Sequence, residues 1–474
     1  MIIKNTFYNL IGLGAPLIVA IFSIPMLIDA LGADRFGLLT LIWAVVSYFG
    51  LFDLGLGKAV TQQLALVFEK QQHDLIGPLL ATATLLMGGL GVVAGILMAI
   101  SASWGVGLVN GIPDKQEAVN AVYFMALAMP AIVLTSCFRG ILEARHAFGV
   151  VNFIRLPMGI FTFIGPLAVV IYGEPKLDWI TCVLALGRLV ACIVHAYYAW
   201  RELPLDRGPF DVRIDLLAPL YVSGGWITIS NIVSPFMGYV DRFIIGGIVS
   251  VSAVAFYSTP QEIATKLWII PGALTPVLFP TFAIKVAQGG DAAWILLKDS
   301  VYWLFVVLLP IIVAIMLFSH TLLSIWISPN FADHSAVLLQ IFSGGILINS
   351  LAHVPFTLIQ SSGKSKLTAL IHVIELPFFL IALWLLTSKY GVTGAAIAWL
   401  MRIIIDTSLM FVFCSSMLGK SPKALLNKKL LLMLILAAGA FSGAMFNSMT
   451  TRVLWVFLTV IVLFLSAFRR RSHH

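Results

Sequence analysis

Residues 367–416 read LTALIHVIELPFFLIALWLLTSKYGVTGAAIAWLMRIIIDTSLMFVFCSS. Two apolar runs, 367–388 and 391–416, flank a short break at Lys389-Tyr390, and the whole stretch holds only four charged residues: Glu375, Lys389, Arg402 and Asp406. An α-helix rises about 1.5 Å per residue, so about 20 apolar residues cross the roughly 30 Å of hydrocarbon in a bilayer. Each run is long enough to cross once. The break is too short for anything but a tight turn, which predicts a transmembrane helical hairpin.

The same pattern repeats along the chain. Of 474 residues, 60% are hydrophobic and 11% are charged, against roughly 25% charged in soluble domains. Mean hydropathy is +1.02. Fourteen spans are predicted, at 7–31, 37–66, 75–101, 118–142, 150–172, 178–200, 217–248, 252–284, 297–327, 335–361, 367–388, 391–416, 427–447 and 452–468. The fold class is therefore an all-α polytopic membrane protein, and the longest spans imply tilt or kinks. The first run, 7–31, is too long for the core of a cleavable signal. Cys137, Cys182, Cys192 and Cys414 lie inside apolar segments without ligand-like spacing and read as small hydrophobes.

Basic residues set the orientation. With the N-terminus in the cytoplasm, nineteen Lys and Arg fall on the inner side and five, Arg35, Lys115, Lys176, Lys389 and Arg452, on the outer side. An even number of spans puts both termini in the cytoplasm. The net charge of +8 is then a topology signal, not a nucleic-acid surface.

The second set of six spans echoes the first at offsets of 214 to 220 residues. Asp74 matches Asp291, and Tyr172-Gly173 matches Tyr390-Gly391. Arg155-Leu156-Pro157 resembles Glu375-Leu376-Pro377, and Leu186-Gly187-Arg188-Leu189 resembles Leu400-Met401-Arg402-Ile403. Repeats of six spans enter the membrane in the same direction and are related by an axis along its normal. The expected organisation is an N-lobe (1–208), a C-lobe (209–418) and a C-terminal pair of spans (419–474). Two such lobes facing a central cleft suit alternating access.

The pattern of Asn9, Pro16, Pro25, Leu31-Gly32, Phe36-Gly37-Leu38 and Phe52-Asp53-Leu54-Gly55-Leu56-Gly57 resembles that of O-antigen and capsule polysaccharide flippases. Ser223-Gly224-Gly225-Trp226, Asn231, Pro235 and Val240-Asp241-Arg242-Phe243 extend the resemblance. These flippases belong to the multidrug/oligosaccharidyl-lipid/polysaccharide exporter superfamily. The resemblance implies two six-helix lobes around a basic cavity, with spans one, two, seven and eight lining it. It implies an undecaprenyl-pyrophosphate-linked oligosaccharide as substrate, moved from the cytoplasmic to the periplasmic leaflet of a bacterial inner membrane. It further implies membrane lipids, a glycan polymerase and chain-length machinery as candidate partners.

Ionisable residues inside a membrane cost roughly 2.5–3.5 kcal/mol each on insertion scales and are functional candidates by default. Lys58, Arg242 and Lys266, on spans two, seven and eight, are candidates for a ladder of cationic stations for a pyrophosphate head group; Lys58 could equally snorkel to lipid head groups. Arg139, Arg188 and Arg402 are further cationic candidates. Arg139–Glu143, Glu262–Lys266 and Arg402–Asp406 are spaced i,i+4 and so share a helix face, which also suits a purely structural charge pair. Asp53, Asp241 and Glu375 are candidates for a coupling proton or sodium ion, with salt bridging or helix capping as the structural alternative.

The sequence carries no phosphate loop of the GxxxxGK[ST] type, no paired-histidine metal pattern and no Ser-His-Asp set on the short loops. No catalytic residue, metal or cofactor is expected. A multidrug exporter of the same superfamily is the nearest alternative, but its cavity should be acidic to hold cationic drugs. A membrane-embedded glycan polymerase or ligase is the enzymatic alternative, and it would carry a larger outer loop than 103–117.

Overall fold

The structure is a computed structural model, and it describes residues 2–49, 56–145, 147–204, 207–216, 225–421, 435, 439 and 449–471. The described residues are almost entirely helical and contain no strand. In chain order the helices are α1 (Ile2–Phe49), α2 (Leu56–Glu69), α3 (Ile76–Gly107), α4 (Lys115–Ala144), α5 (Phe148–Tyr172), α6 (Leu177–Glu202) and α7 (Gly225–Ile248). They continue with α8 (Val251–Thr265), α9 (Ile269–Gln288), α10 (Gly290–Leu317), α11 (Ser319–Trp326), α12 (Pro329–Ser361), α13 (Ser365–Met417) and α14 (Met449–Arg471).

Two of these helices are hairpin-like breaks fused into one run. Within α1 Gly32 has φ 73° and ψ 166°, and within α13 Gly391 has φ 61° and ψ −142°. No neighbouring atom lies within 4 Å of where a Cβ would stand at either glycine. Backbone conformation, not space, therefore demands glycine there. Gly32 divides the expected spans 7–31 and 37–66, and Gly391 divides 367–388 and 391–416. By length and composition seven helices among the described residues can cross a membrane, or eight when α8 and α9 count as one bent span. The expected span 427–447 lies outside the described residues except for Ile435 and Gly439.

The outside of these helices is apolar. On α3, Leu85, Val92, Val93, Ile96, Leu97 and Ile100 are all exposed. That surface is stable only against hydrocarbon, and the chain is a multi-pass membrane protein. Lipid tails are as apolar as leucine, so helices associate through close packing and interhelical hydrogen bonds rather than through hydrophobic burial. Small residues supply the approach: a Cβ on Gly91 would stand 2.6 Å from the Pro130 Cα, and one on Gly95 2.6 Å from the Ala126 carbonyl oxygen. That contact joins α3 to α4.

The chain forms two compact units, Met1–Ala255 and Phe256–His474. In the first, α4 packs against both α3 and α6, and α1 lies along α5. Its core includes Leu64, Ile76, Met87, Cys137 and Leu142. In the second, α12 is central and packs against α9, α10, α11 and α13, around Leu297, Phe305, Leu308, Val313 and Leu358.

The first unit extends past the six-span repeat boundary at 208/209 because α7 is fastened to the α3–α4 turn. The Asn110 backbone N–H donates to the Gly246 carbonyl (2.8 Å), its side-chain amide donates to the Gly247 carbonyl (2.7 Å), and its carbonyl accepts from Val251 N (2.8 Å). The linker is fastened as well: Gly77 N donates to the Arg207 carbonyl (2.6 Å), and Arg213 N donates to the Thr82 hydroxyl (2.9 Å). The first contact occupies one of the otherwise unpaired N–H groups at the start of α3.

Candidate functional site

Among the described residues of the first unit the most deeply buried charges are consecutive residues of α7. Asp241 is fully buried and Arg242 is 4% exposed. The Arg242 backbone N–H donates to Asp241 Oδ1 (2.8 Å), and the Arg242 guanidinium lies over the Tyr239 ring, 5.3 Å from its centroid. A guanidinium is planar and weakly hydrated, so stacking on an aromatic face offsets part of its loss of water. Lys58 lies in the first turn of α2, but its side chain lies outside the described residues, as does the whole of Asp53.

A second set of charges joins α4 and α5. Arg139 and Glu143 form the expected one-turn pair (Nε–Oε1 3.7 Å), both partly exposed, and Arg139 also reaches the Ser136 hydroxyl at 3.5 Å. Arg155 on α5 interacts electrostatically with both Arg139 and Glu143. Arg188 on α6 stands apart from this set and has no acidic partner among the described residues.

In the second unit Lys266 opens a single 3-10 turn, Lys266–Trp268, between α8 and α9. Its ammonium pairs with Glu262 one turn earlier (3.1 Å), and both side chains are exposed. The cluster within α13 is far more enclosed. His372 and Glu375 come from its first half, Arg402 and Asp406 from its second. His372 is 7% exposed, Glu375 6% and Asp406 7%. His372 Nε2 lies 3.7 Å from Asp406 Oδ1, and Arg402 acts electrostatically on Asp406, Glu375 and His372. The Arg402 guanidinium also lies over the Phe379 ring at 5.4 Å. Neither Glu375 carboxylate oxygen has a hydrogen-bond partner among the described residues. The hairpin break at Gly391 is what folds the two halves together, so residues 27 to 34 positions apart share one site.

Reading of the sequence missed two groupings. Glu117 is 7% exposed; its carboxylate receives Arg35 (3.0 Å) and the backbone N–H of Leu177. It thus ties α1, just beyond the Gly32 break, to α4 and caps the start of α6. Its partners lie 82 and 60 residues away, so no local spacing could reveal them.

The second grouping lies on helices rather than on the short loops: Ser324 and His320 of α11 come together with Asp333 of α12. His320 Nδ1 lies 3.4 Å from the Ser324 hydroxyl, and its Nε2 lies 2.9 Å from Asp333 Oδ1. His320 and Asp333 are exposed to solvent, and the serine sits one turn from the histidine on the eight-residue α11. The set ties α11 to α12 without enclosing a substrate. No group of three His, Cys, Asp or Glu among the described residues could hold a metal ion.

Residues 2–284 match the family described as polysaccharide biosynthesis protein. A Shigella flexneri protein named "Putative O-antigen transporter" is 33% identical over 414 residues, covering 86% of this chain and 96% of the relative. Among solved structures, an inward-facing multidrug resistance MATE family transporter of the MOP superfamily aligns with a TM-score of 0.73 at 12% identity, over 88% of this chain and 98% of that one. The lipid II flippase MurJ, in an inward closed conformation, aligns with a TM-score of 0.72 at 14% identity, over 99% of this chain and 100% of that one. These structural likenesses establish the fold. The family match spans more than half of the sequence, and the chain belongs to the polysaccharide biosynthesis protein family.

Proposed function

We propose that the protein is a flippase that moves an undecaprenyl-pyrophosphate-linked oligosaccharide from the cytoplasmic to the periplasmic leaflet of a bacterial inner membrane by alternating access. The observation that carries this reading is the 33% identity, over nearly the whole chain, to the protein named as an O-antigen transporter. Arg242 supports it. A fixed guanidinium, buried at 4% exposure in a membrane helix, is the group that replaces water around a pyrophosphate. Lys266, Lys58, Arg139, Arg188 and Arg402 are further cationic candidates along the path. The basic-residue bias of nineteen to five supports cytoplasmic termini, and a glycan polymerase with its chain-length machinery would take up the product.

The α13 cluster supports coupling to an ion gradient. Two carboxylates, Glu375 and Asp406, face one guanidinium and one imidazole. Taking up one proton or one sodium ion neutralises the set, and releasing it restores a net negative charge in a buried place. An element with two charge states of different cost can bias two conformations. Asp241, beside Arg242, and Asp53 are the remaining coupling candidates.

Deletion of the gene should make lipid-linked glycan accumulate on the cytoplasmic leaflet, measured by accessibility to an impermeant glycosidase or lectin. Arg242→Ala should reproduce that defect at normal protein abundance, and Lys266→Ala part of it. Export at wild-type level in both variants would remove the cationic path. Surface display of single repeat units in the deletion strain would make the protein a polymerase instead. For coupling, Glu375→Gln should abolish the response of glycan export to collapse of the proton gradient; a response that follows external sodium instead would name sodium as the ion.

A further inference from the structure

The outer ends of α5 and α6 form an open groove of about 760 Å³ in the first unit. Its base is the Phe161 ring, which lies against Gly165 and Gly187; a Cβ on Gly187 would stand 2.3 Å from the Phe161 Cε1. Val169 and Val183 form its walls, and Tyr172 and Trp179, 89% and 57% exposed, flank its mouth. At the rim Lys176 pairs with Glu174 (2.5 Å) in the loop between the helices. This groove contains none of the charges assigned to transport.

We propose that this groove holds one acyl chain of a phospholipid with a zwitterionic ethanolamine head group, drawn from the leaflet into which the α5–α6 loop opens. Its length fits. Phe161 to Tyr172 spans eleven residues, about 16 Å of helix, which is close to half the roughly 30 Å hydrocarbon thickness. The groove therefore runs from the head-group level to about mid-bilayer, the reach of one acyl chain. The chemistry changes in the same order, from an aromatic and aliphatic base through two interfacial aromatics to charge.

The rim selects the head group. Lys176 offers an ammonium to a phosphate and Glu174 offers a carboxylate to an amine, so a zwitterion can answer both. A head group carrying only negative charge would meet Glu174 with repulsion. Both rim groups are held in their charged forms, because the hydrogen bond between them and then their mutual attraction lower the Glu174 pKa and raise that of Lys176. The proposal is independent of which glycan the protein moves.

The test uses the full-length protein in vesicles of phosphatidylethanolamine and phosphatidylglycerol, with a trace of either lipid carrying a photoreactive diazirine on its acyl chain. Labelled peptides are mapped by mass spectrometry. Peptides covering 161–183 should label with the ethanolamine probe about tenfold more than the lipid-facing surface of α3, a ratio that reports a site of modest affinity. Ala168→Trp, which fills the groove, should bring labelling down to the level of α3. Lys176→Glu, at an exposed rim position, should lower ethanolamine labelling while leaving the α3 background unchanged, which separates loss of the site from loss of the fold. Equal labelling of groove and α3, equal labelling by both probes, no effect of Ala168→Trp, or displacement by an undecaprenyl phosphate competitor but not by excess phosphatidylethanolamine would each overturn the proposal.

Discussion

The α5–α6 pair and the two halves of α13 are the hairpins that the sequence echoes match to each other, each broken at a Tyr-Gly step, Tyr172-Gly173 and Tyr390-Gly391. Their charges have diverged. Within the spans of α5 and α6, away from the Glu174–Lys176 loop and the helix ends, the charges are two arginines, Arg155 and Arg188, and Arg155 faces the Arg139–Glu143 pair of α4. Inside α13 two carboxylates, Glu375 and Asp406, share one arginine, Arg402, with His372 beside them. The repeated arginine of the last span survives in both hairpins, as Arg188 and Arg402, while the position that holds Arg155 in the first holds Glu375 in the second. The spans of the first hairpin thus carry arginines without a carboxylate of their own, whereas those of the second carry a cluster in which carboxylates outnumber the arginine. A transporter of a pyrophosphate needs the first kind of chemistry to hold cargo and the second kind to take up a coupling cation.

The largest expected effect comes from removing the arginine that the two hairpins share. In α13, Arg402→Leu would leave two enclosed carboxylates without their guanidinium, and breaking a buried ion pair costs about 3–5 kcal/mol. Removing Arg188, which has no acidic partner among the described residues, should cost little or nothing. The expected result is a marked loss of monodisperse protein and a lower thermal aggregation midpoint for Arg402→Leu. Arg188→Leu should behave as wild type in the same assay, whatever it does to transport. Adding Glu375→Gln and Asp406→Asn to Arg402→Leu should restore much of the stability. Equal loss in both single variants would mean that the charge balance of the two hairpins does not differ as described.

The two Tyr-Gly breaks differ in backbone as well as in charge. Gly391 sits at φ 61°, ψ −142°, a conformation costly for any residue with a Cβ, whereas Gly173 is extended at φ −133°, ψ −156° and caps α5 through its N–H to the Val169 carbonyl. Gly391→Ala should cost about 1–3 kcal/mol from strain. Gly173→Ala adds only a Cβ 3.0 Å from the Val169 oxygen, which a shift of a few tenths of an ångström relieves. Comparing the thermal aggregation midpoints of the two variants checks the difference. A larger loss for Gly173→Ala would place the strain in the wrong hairpin.

Features with a local signature were legible in the sequence. Apolar run length marked the long apolar helices found among the described residues, the glycines at 32 and 391 fell at the breaks within α1 and α13, and the i,i+4 spacing anticipated Arg139–Glu143 and Glu262–Lys266. Features that depend on which helices touch were not. The α13 cluster was visible only as the separate residues Glu375, Arg402 and Asp406, and His372 was not singled out, because its role arises from the second half of the hairpin folding back beside it. Glu117 gathers Arg35 and Leu177 from distant parts of the chain. The linker that the composition presents as a charged connector is instead hydrogen-bonded along the start of α3. Each of these is a tertiary contact that carries no period and no motif.

The smallest expected effect isolates a pair that both readings agree on. Arg139 and Glu143 are each more than a third exposed, and a one-turn ion pair at such a site contributes about 0.3–0.5 kcal/mol. Glu143→Gln should therefore leave the thermal aggregation midpoint almost unchanged. It should still alter the local field, because Glu143 is the one carboxylate shown interacting with both Arg139 and Arg155. If these arginines hold the pyrophosphate along its path, removing the acid should strengthen binding of a pyrophosphate-bearing lipid to purified protein, modestly and in a way that high salt suppresses. If they only stabilise the α4–α5 contact, binding should not move. Stability barely separates these two roles, so the decisive quantity is the salt dependence of binding.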